Sequence, residues 1–502
     1  MTSKSIIIIG GGIAGLSAGC YAQVNGYLSN IYEMHDLPGG LCTAWERKGY
    51  KFDGCIDWFT GTQEDGMFYS IWQELGVIQN NTFLYDDEYW RYVTKQGKTI
   101  IFYTDVVRLE LELKSAYPQD AHTIEELCGV IRALQTFRPP VGKAMETMGP
   151  LDYMKMMAGM LKNLKAYMTF FRYGKKSMAD FAACFKSKTL RDMFTTLWGE
   201  HIPFSMFAST MAWCANKTAG FPQGGSLKIA RDMEKKYLSL GGKMHYKQKV
   251  EKILVQEGKA IGVRLEDGTE QYADIVISAS DGYATLYNML EGRYITESIR
   301  DWYDNMPTFP PYIQVSLGVK RDMRGDARTY CIQLDEPLQA AEQDIDTLIV
   351  HNYSFDRTQA PEGKASMAIR FFTDYAYWER LYKNKKNYKT AKNALGKAVI
   401  LKLEKHFPGI SKQVEAIDVA TPMTYVRYTG TWKGATMAWL PTTQNFGKSL
   451  PKTIPALGGF YMCGQWLVPG GGIPNALKTA RDTIQIICRK DGKKFKTTVQ
   501  EG

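Results

Sequence analysis

The chain has 502 residues, 45% of them hydrophobic, a formal charge of +10 and nine cysteines. Such a length supplies two domains or one large interleaved unit with ample core, and an odd cysteine count without CxxC pairing speaks for a reducing compartment and against a disulfide scaffold. The six histidines, at 35, 122, 201, 245, 351 and 406, form no HxxxH or His-Cys group, so no metal is expected; the positive charge would suit nucleic acid, but no nucleic-acid motif accompanies it.

The first element is the isoleucine run at residues 6 to 9. It is too short to cross a bilayer, and after "MTSKS" it lacks the apolar core and cleavage site of a secretory signal. A β-branched run flanked by glycine reads instead as a strand buried on both faces. A tight turn follows, with glycines at Gly10, Gly12 and Gly15, and then a helix of small and apolar residues beginning at Ile13 and Ala14. Each glycine has a distinct use in a dinucleotide fold: Gly10 for the sharp turn, Gly12 for close approach of backbone to a pyrophosphate, Gly15 for helix–strand packing. A second strand, "LSNIYEM", ends at Glu33, placed to accept hydrogen bonds from the hydroxyls of an adenosine ribose. Strand, GxGxxG, helix and acid in this order predict a bound nucleotide.

A second glycine pair, Gly39 and Gly40, comes directly after the ribose acid, and "ERKGYKFD" follows. This pattern resembles the FAD-dependent phytoene desaturases, carotenoid cis-trans isomerases and retinol saturases, within the amine oxidase-like flavoprotein superfamily. Amine oxidases usually have arginine after the glycine pair, where this chain has Leu41, and that argues against the amine oxidase branch. In the family, Gly39, Gly40 and Leu41 would meet the phosphate and ribityl chain.

Residues 221 to 280 resemble the family's middle FAD segment, in which a backbone contact to adenine falls at Val250; the hairpin through Asp267 and Gly268 also stands on its own alternating pattern around an Asp-Gly turn. "GGFYMCGQWLVPGGGIPNALKTARDTIQIICR" resembles the closing flavin motif, with a strand, Gly464, a turn and a helix from about Pro474, so Gly464, Gln465, Gly472, Ile473 and Pro474 join the cofactor set. A helix starting at proline with free amides suits the electron-rich edge of a reduced flavin. Most relatives have aspartate where Gln465 stands; glutamine makes the same hydrogen bond to a ribityl hydroxyl without the charge, so FAD is expected to be retained but held less tightly.

The resemblance implies an α/β fold: a Rossmann-like FAD-binding domain with a parallel sheet, assembled from 1-80, 218-300 and 436-502, interleaved with an α+β substrate domain from 81-217 and 301-435. Within the latter, residues 148-188 are rich in methionine, aromatics and lysine. At helical spacing Met156, Met157, Met160, Leu164 and Met168 fall broadly along one side, with Lys155, Lys162 and Lys165 off it. This is the pattern of a helix lying in a membrane interface, and equally of a core helix with snorkelling lysines or a methionine-lined tunnel. The family resemblance, with its lipid-borne substrates, favours peripheral membrane contact, and a cytoplasmic protein at the inner face of a membrane is expected.

Side-chain catalysts are few where a flavin carries the redox step. Asp57 and Trp58 follow the segment that approaches the isoalloxazine in relatives, and Arg427 matches a basic position of the isomerase-like sequences; the same residues also read as a capping aspartate, a core tryptophan and a surface arginine. No second GxGxxG appears, so electrons would pass to or from oxygen, a quinone or a partner protein. The resemblance implies a desaturase or saturase acting on carbon–carbon bonds of a lipophilic isoprenoid-like substrate. The alternatives are a polyene cis-trans isomerase, an amine oxidase, and a flavin-free prenyl-binding protein of the GDP-dissociation-inhibitor type; the intact glycine motifs argue against the last.

Overall fold

The computed structural model describes residues 3–499. The four isoleucines lie in the strand Ser5–Ile9, and their alternation explains the unbroken apolar run. Ile6 and Ile8 enter one hydrophobic core with Leu16, Ala18 and Leu477. Ile7 and Ile9 enter another with Val250, Val276 and Trp439. A strand covered on both faces belongs in the middle of a parallel sheet. This one is central among five strands, ordered Lys243–His245, Leu28–Tyr32, Ser5–Ile9, Ile275–Ser278 and Phe460–Met462, every neighbouring pair parallel.

The helix Ile13–Val24 packs between Ser226–Ser239 and Gly472–Lys490. Its glycines permit this closeness. A Cβ on Gly15 would fall 1.9 Å from the Gly10 carbonyl oxygen, and one on Gly19 would fall 2.7 Å from the Tyr237 ring. Beside the sheet, Val250–Gln256, Lys259–Leu265 and Glu270–Tyr272 form a three-stranded antiparallel sheet, with Gly268 in the left-handed region at the Asp-Gly turn.

A second large sheet has seven strands, in the order Val414–Ala420, Tyr312–Val319, Ala365–Phe372, Gln343–Asn352, Thr329–Ala340, Glu88–Val93 and Thr99–Tyr103. All its pairs are antiparallel except Thr329–Ala340 with Glu88–Val93. Helices between residues 106 and 215 cover one end around an aromatic core in which Phe181 and Phe204 stack at 3.8 Å. The hairpin Ala44–Arg47 with Tyr50–Asp53 joins the two sheets. Its Tyr50 ring lies where a Cβ on Gly318 would be, 2.4 Å away. Asp53 accepts from the Ser226 amide at 2.7 Å and the Ser226 hydroxyl at 2.6 Å, so the last residue of "ERKGYKFD" fixes the start of helix Ser226–Ser239.

The methionine-rich segment differs in detail from its expected single stripe. It breaks at Asn163 into two helices, Pro150–Lys162 and Leu164–Gly174. Met157, Leu164 and Met168 are exposed, whereas Met156 and Met160 are half-buried, Met160 against the aromatic core. The exposed positions keep helical spacing across Asn163, from Met157 through Leu164 to Met168, and Met156 and Met160 fall on the flank of that face. Leu151, Met154, Leu161 and Phe171 complete the exposed apolar stripe.

Candidate cofactor and substrate cavity

A cavity of about 1280 Å³ runs between the two sheets. Every cofactor-binding or catalytic candidate named from the sequence lines it except Gly15, which lies behind the turn as a packing residue. At one end, two glycine turns face each other. Gly10, in the left-handed region, donates its amide to Tyr32 at 2.8 Å, and the Gly39 amide donates to the Gly11 carbonyl at 2.9 Å. A Cβ on Gly40 would stand 3.4 Å from the Gly12 Cα. Side chains at these positions would fill the cradle between the turns.

Gly11, not singled out in the sequence, closes the arrangement: its amide donates to Glu33 Oε2 at 2.6 Å, and the His35 amide donates to Oε1 at 2.8 Å. Burial raises the Glu33 carboxyl above its usual range, and these two amides partly offset it. Each carboxylate oxygen keeps a further lone pair for a hydroxyl. The Gln248 amide donates to the Glu33 carbonyl at 2.9 Å, which brings the chain leading to Val250 beside the ribose acid. Arg427 lies toward this same end, three residues before Gly430, where a Cβ would stand 3.9 Å from Met34 Sδ. It is exposed and stacks on Tyr428 at 5.1 Å, apart from Asp57 and Trp58.

Neither helix aimed at the cavity is capped by its own N-cap residue, although in the second the Gln465 side chain takes the first amide. Ile13–Val24 starts from Gly12, and Gly472–Lys490 from Gly471, with no acid in either first turn. Helix N-termini present free amides and a positive dipole end to an anionic group. The closing helix begins at Gly472, two residues before Pro474. Gln465 lines the cavity, and its Oε1 accepts from the Gly472 amide at 3.0 Å while its Nε2 donates to the Thr436 carbonyl at 3.1 Å. It braces the closing turn from within the protein.

Farther along, Trp58 stands between Tyr89 at 5.9 Å and Trp198 at 5.8 Å, and the wall continues to Phe137 and Phe170, stacked at 4.2 Å. One polar group interrupts it. Arg370 Nη1 donates to Asp57 Oδ1 at 2.7 Å, His351 Nε2 lies 3.6 Å from the same oxygen, and Arg328 Nη2 donates to the Asp57 carbonyl at 2.6 Å. Burial works to raise the Asp57 carboxyl, but the adjacent positive charge, chiefly of Arg370, holds it below the usual range. Burial pushes His351 down to about 4, so the imidazole is neutral at pH 7. Arg328 also pairs with Asp86 and lies over the Phe221 and Phe355 rings at 4.7 and 4.5 Å. Neither arginine was singled out in the sequence, and His351 entered only as one of six histidines without metal-binding spacing. The signal was present as charged or titratable residues inside otherwise apolar strands, "ASMAIRFF" and "TLIVHN". Among the described residues no group of three His, Cys, Asp or Glu is placed to hold a metal ion.

Facing glycine turns, a buried ribose acid and two helix N-termini around one cavity fit FAD, and they define a flavin-dinucleotide protein of the oxidoreductase class. The chain belongs to the family described as flavin containing amine oxidoreductase, which it matches over residues 13–487. It is 25% identical over 498 residues to the chloroplastic prolycopene isomerase of Daucus carota, covering 93% of this chain and 77% of that protein. It is 22% identical to a 4,4'-diapophytoene desaturase of Methylomonas sp, covering 98% and 97% respectively, and 24% identical to the all-trans-retinol 13,14-reductase of Danio rerio, covering 92% and 82%. In fold it is similar to the crystal structure of an oxidoreductase from Methanosarcina mazei, with a TM-score of 0.61 at 15% identity, covering 96% of this chain and all of that one.

Proposed function

We propose that this FAD-dependent enzyme acts on carbon–carbon bonds of a lipophilic, unsaturated isoprenoid-like substrate drawn from a membrane surface. One observation carries the reading: a single cavity extends from the glycine turns, past Trp58, to Phe170, whose neighbour Phe171 belongs to the exposed apolar stripe. Leu151 is 72% exposed, Met154 67% and Leu161 64%. Exposed apolar side chains in such a continuous set are characteristic of contact surfaces, and with Lys155, Lys162 and Lys165 alongside they suit an anionic lipid interface. No helix among the described residues is long and apolar enough to cross a membrane, so this contact would be peripheral.

In this reading residues 1-80, 218-300 and 436-502 hold the cofactor, and 81-217 with 301-435 hold the substrate. Gly10, Gly12, Gly39 and Gly40 would flank the pyrophosphate, Glu33 the ribose, Val250 the adenine, and Gly464 to Pro474 the flavin. When bound, the flavin supplies two-electron redox chemistry. The protein's own share is to orient an apolar chain along Trp58, Trp198 and Phe170 and to exclude water. The Asp57–Arg370–His351 group would accept or hold a proton at the His351 imidazole. Names of relatives span an isomerase, a desaturase and a reductase, so the direction of the reaction is the quantity to measure. Leu41, in place of the arginine usual in amine oxidases, weighs against amine oxidation. Oxygen, a quinone or a partner protein would serve as electron partner.

The test is to incubate the FAD-loaded protein with cis and all-trans polyenes in lipid vesicles, under oxidised and reduced flavin conditions, and to read product masses. A change of two hydrogens identifies a desaturase or saturase by its sign, and a new isomer of unchanged mass identifies the isomerase. Hydrogen peroxide released from amines, with polyenes untouched, would overturn the proposal.

A further inference from the structure

The wall of the cavity carries three cysteines that none of these roles uses, Cys42, Cys55 and Cys214, and the first two come from one hairpin. Ala44 pairs with Asp53 in the antiparallel hairpin, and the Gly54 amide donates to the Thr43 carbonyl at 3.0 Å. The pairing thus runs one residue past the strands, and the next opposed positions are Cys42 and Cys55. Both stand in the bends where the hairpin ends, one step beyond paired positions whose Cβ atoms lie about 4.5–5.5 Å apart, against the roughly 3.5–4.5 Å of a disulfide. The Cys55 thiol lies near enough to raise that of Cys42, both residues line the cavity, and the Cys42 thiol donates to the Ser226 carbonyl at 3.4 Å. Cys42 comes two residues after Gly40, and Cys55 two residues before Asp57, so the pair stands between the cofactor turns and the polar group.

We infer that Cys42 and Cys55 form a reversible dithiol–disulfide couple in the wall of the cofactor cavity, a second two-electron centre closed by a small-molecule disulfide of the glutathione class. Cys55 is half-buried and Cys42 buried, so Cys55 meets the oxidant first. Its sulfur, on losing its proton, attacks one sulfur of the small disulfide and expels a thiolate. Cys42 then loses its proton, attacks the Cys55 sulfur of the mixed disulfide and expels the second thiolate. Two electrons pass from the protein dithiol to the small disulfide, and the two protons released are taken up by the two small thiols formed. Contact with Cys55, followed by burial, raises the Cys42 thiol well above its ordinary value. It therefore acts as the resolving rather than the attacking sulfur. The inference does not depend on the identity of the substrate, because the thiols are read directly.

The experiment equilibrates the FAD-loaded protein without oxygen in graded mixtures of reduced and oxidised glutathione, quenches with acid, alkylates under denaturing conditions, and maps peptides by mass. The expected result is one linked species joining the peptides of Cys42 and Cys55, lighter by about 2 Da than the two free thiol peptides and reopened by reduced glutathione. Exposed Cys184 should acquire glutathione without a protein partner. In Cys55→Ser the link should disappear and Cys42 should stay alkylatable. Separate alkylation of Cys42 and Cys55 in the most oxidising mixture would overturn the inference, as would the same linked mass persisting in Cys55→Ser. Cys42→Ser is not required, so a folding defect at that buried site leaves the test intact.

Discussion

His351 should make the protein acid-sensitive by an amount the structure allows to be worked out. In an unfolded chain a histidine titrates near 6.5, whereas burial holds His351 neutral down to about 4. Asp57 partly opposes this shift, and Arg370 and Arg328 reinforce it. Its folded-state value is depressed, so the associated stability is present above 6.5 and is lost as pH falls toward 4, where the unfolded state takes up a proton the folded state refuses. At 1.36 kcal/mol per unit, acidification from pH 7 to pH 4.5 removes about 2.5 kcal/mol through this one residue. Asp281 works the other way. Burial raises it from 3.8 to about 6, so between the same two pH values it returns about 2 kcal/mol. The wild-type profile therefore conceals two nearly cancelling slopes. In urea unfolding followed by tryptophan fluorescence, His351→Gln should gain about 2.5 kcal/mol relative to wild type on going from pH 7 to pH 4.5, and Asp281→Asn should lose about 2. A wild-type-to-His351→Gln difference that stays constant between the two pH values would refute the reasoning.

Gly15→Ala, whose Cβ would fall 1.9 Å from the Gly10 carbonyl, should cost about 3 kcal/mol or more and release the flavin. Gly11→Ala meets first the flexible end of Met244 at 2.9 Å and should keep the fold; melting temperature and flavin content per chain distinguish the two. Arg370→Met leaves the half-buried Asp57 carboxylate without its nearest cation and should destabilise by about 1–3 kcal/mol, with Asp57→Asn restoring part of the loss in the double variant, as denaturant titration would show. Met154→Glu with Leu161→Glu should lower co-sedimentation with anionic vesicles by about tenfold while leaving the circular dichroism unchanged.

The cofactor end of the cavity was legible in the sequence because its signals are local. Ile6 to Glu33 contain strand, turn, helix and acid within one βαβ unit, and each residue type there is dictated by backbone geometry. The polar group was not legible, since Arg328, His351 and Arg370 come from or border successive strands but Asp57, their common partner, lies 313 positions from Arg370 in the chain. Gln465 shows a subtler limit. Its bonds within the protein could not be read from the chain, because one partner, Thr436, lies 29 positions away. The methionine stripe was misplaced at Met156 and Met160, because methionine occurs on both sides of these helices and its identity does not mark the face: Met160 packs on the aromatic core, while Met154, Leu161 and Phe171 belong to the exposed side.

The parallel sheet draws its fifth strand, Phe460–Met462, and the helix packed on Ile13–Val24, Gly472–Lys490, from the last part of the chain. During synthesis the strand Ile275–Ser278 therefore waits as an open edge while nearly two hundred further residues leave the ribosome, and an unpaired apolar edge invites association with other nascent chains. Completion of the glycine cradle follows translation rather than accompanying it, so flavin supply acts at the final step of maturation, and truncation near the carboxyl end should produce insoluble protein rather than a slow enzyme.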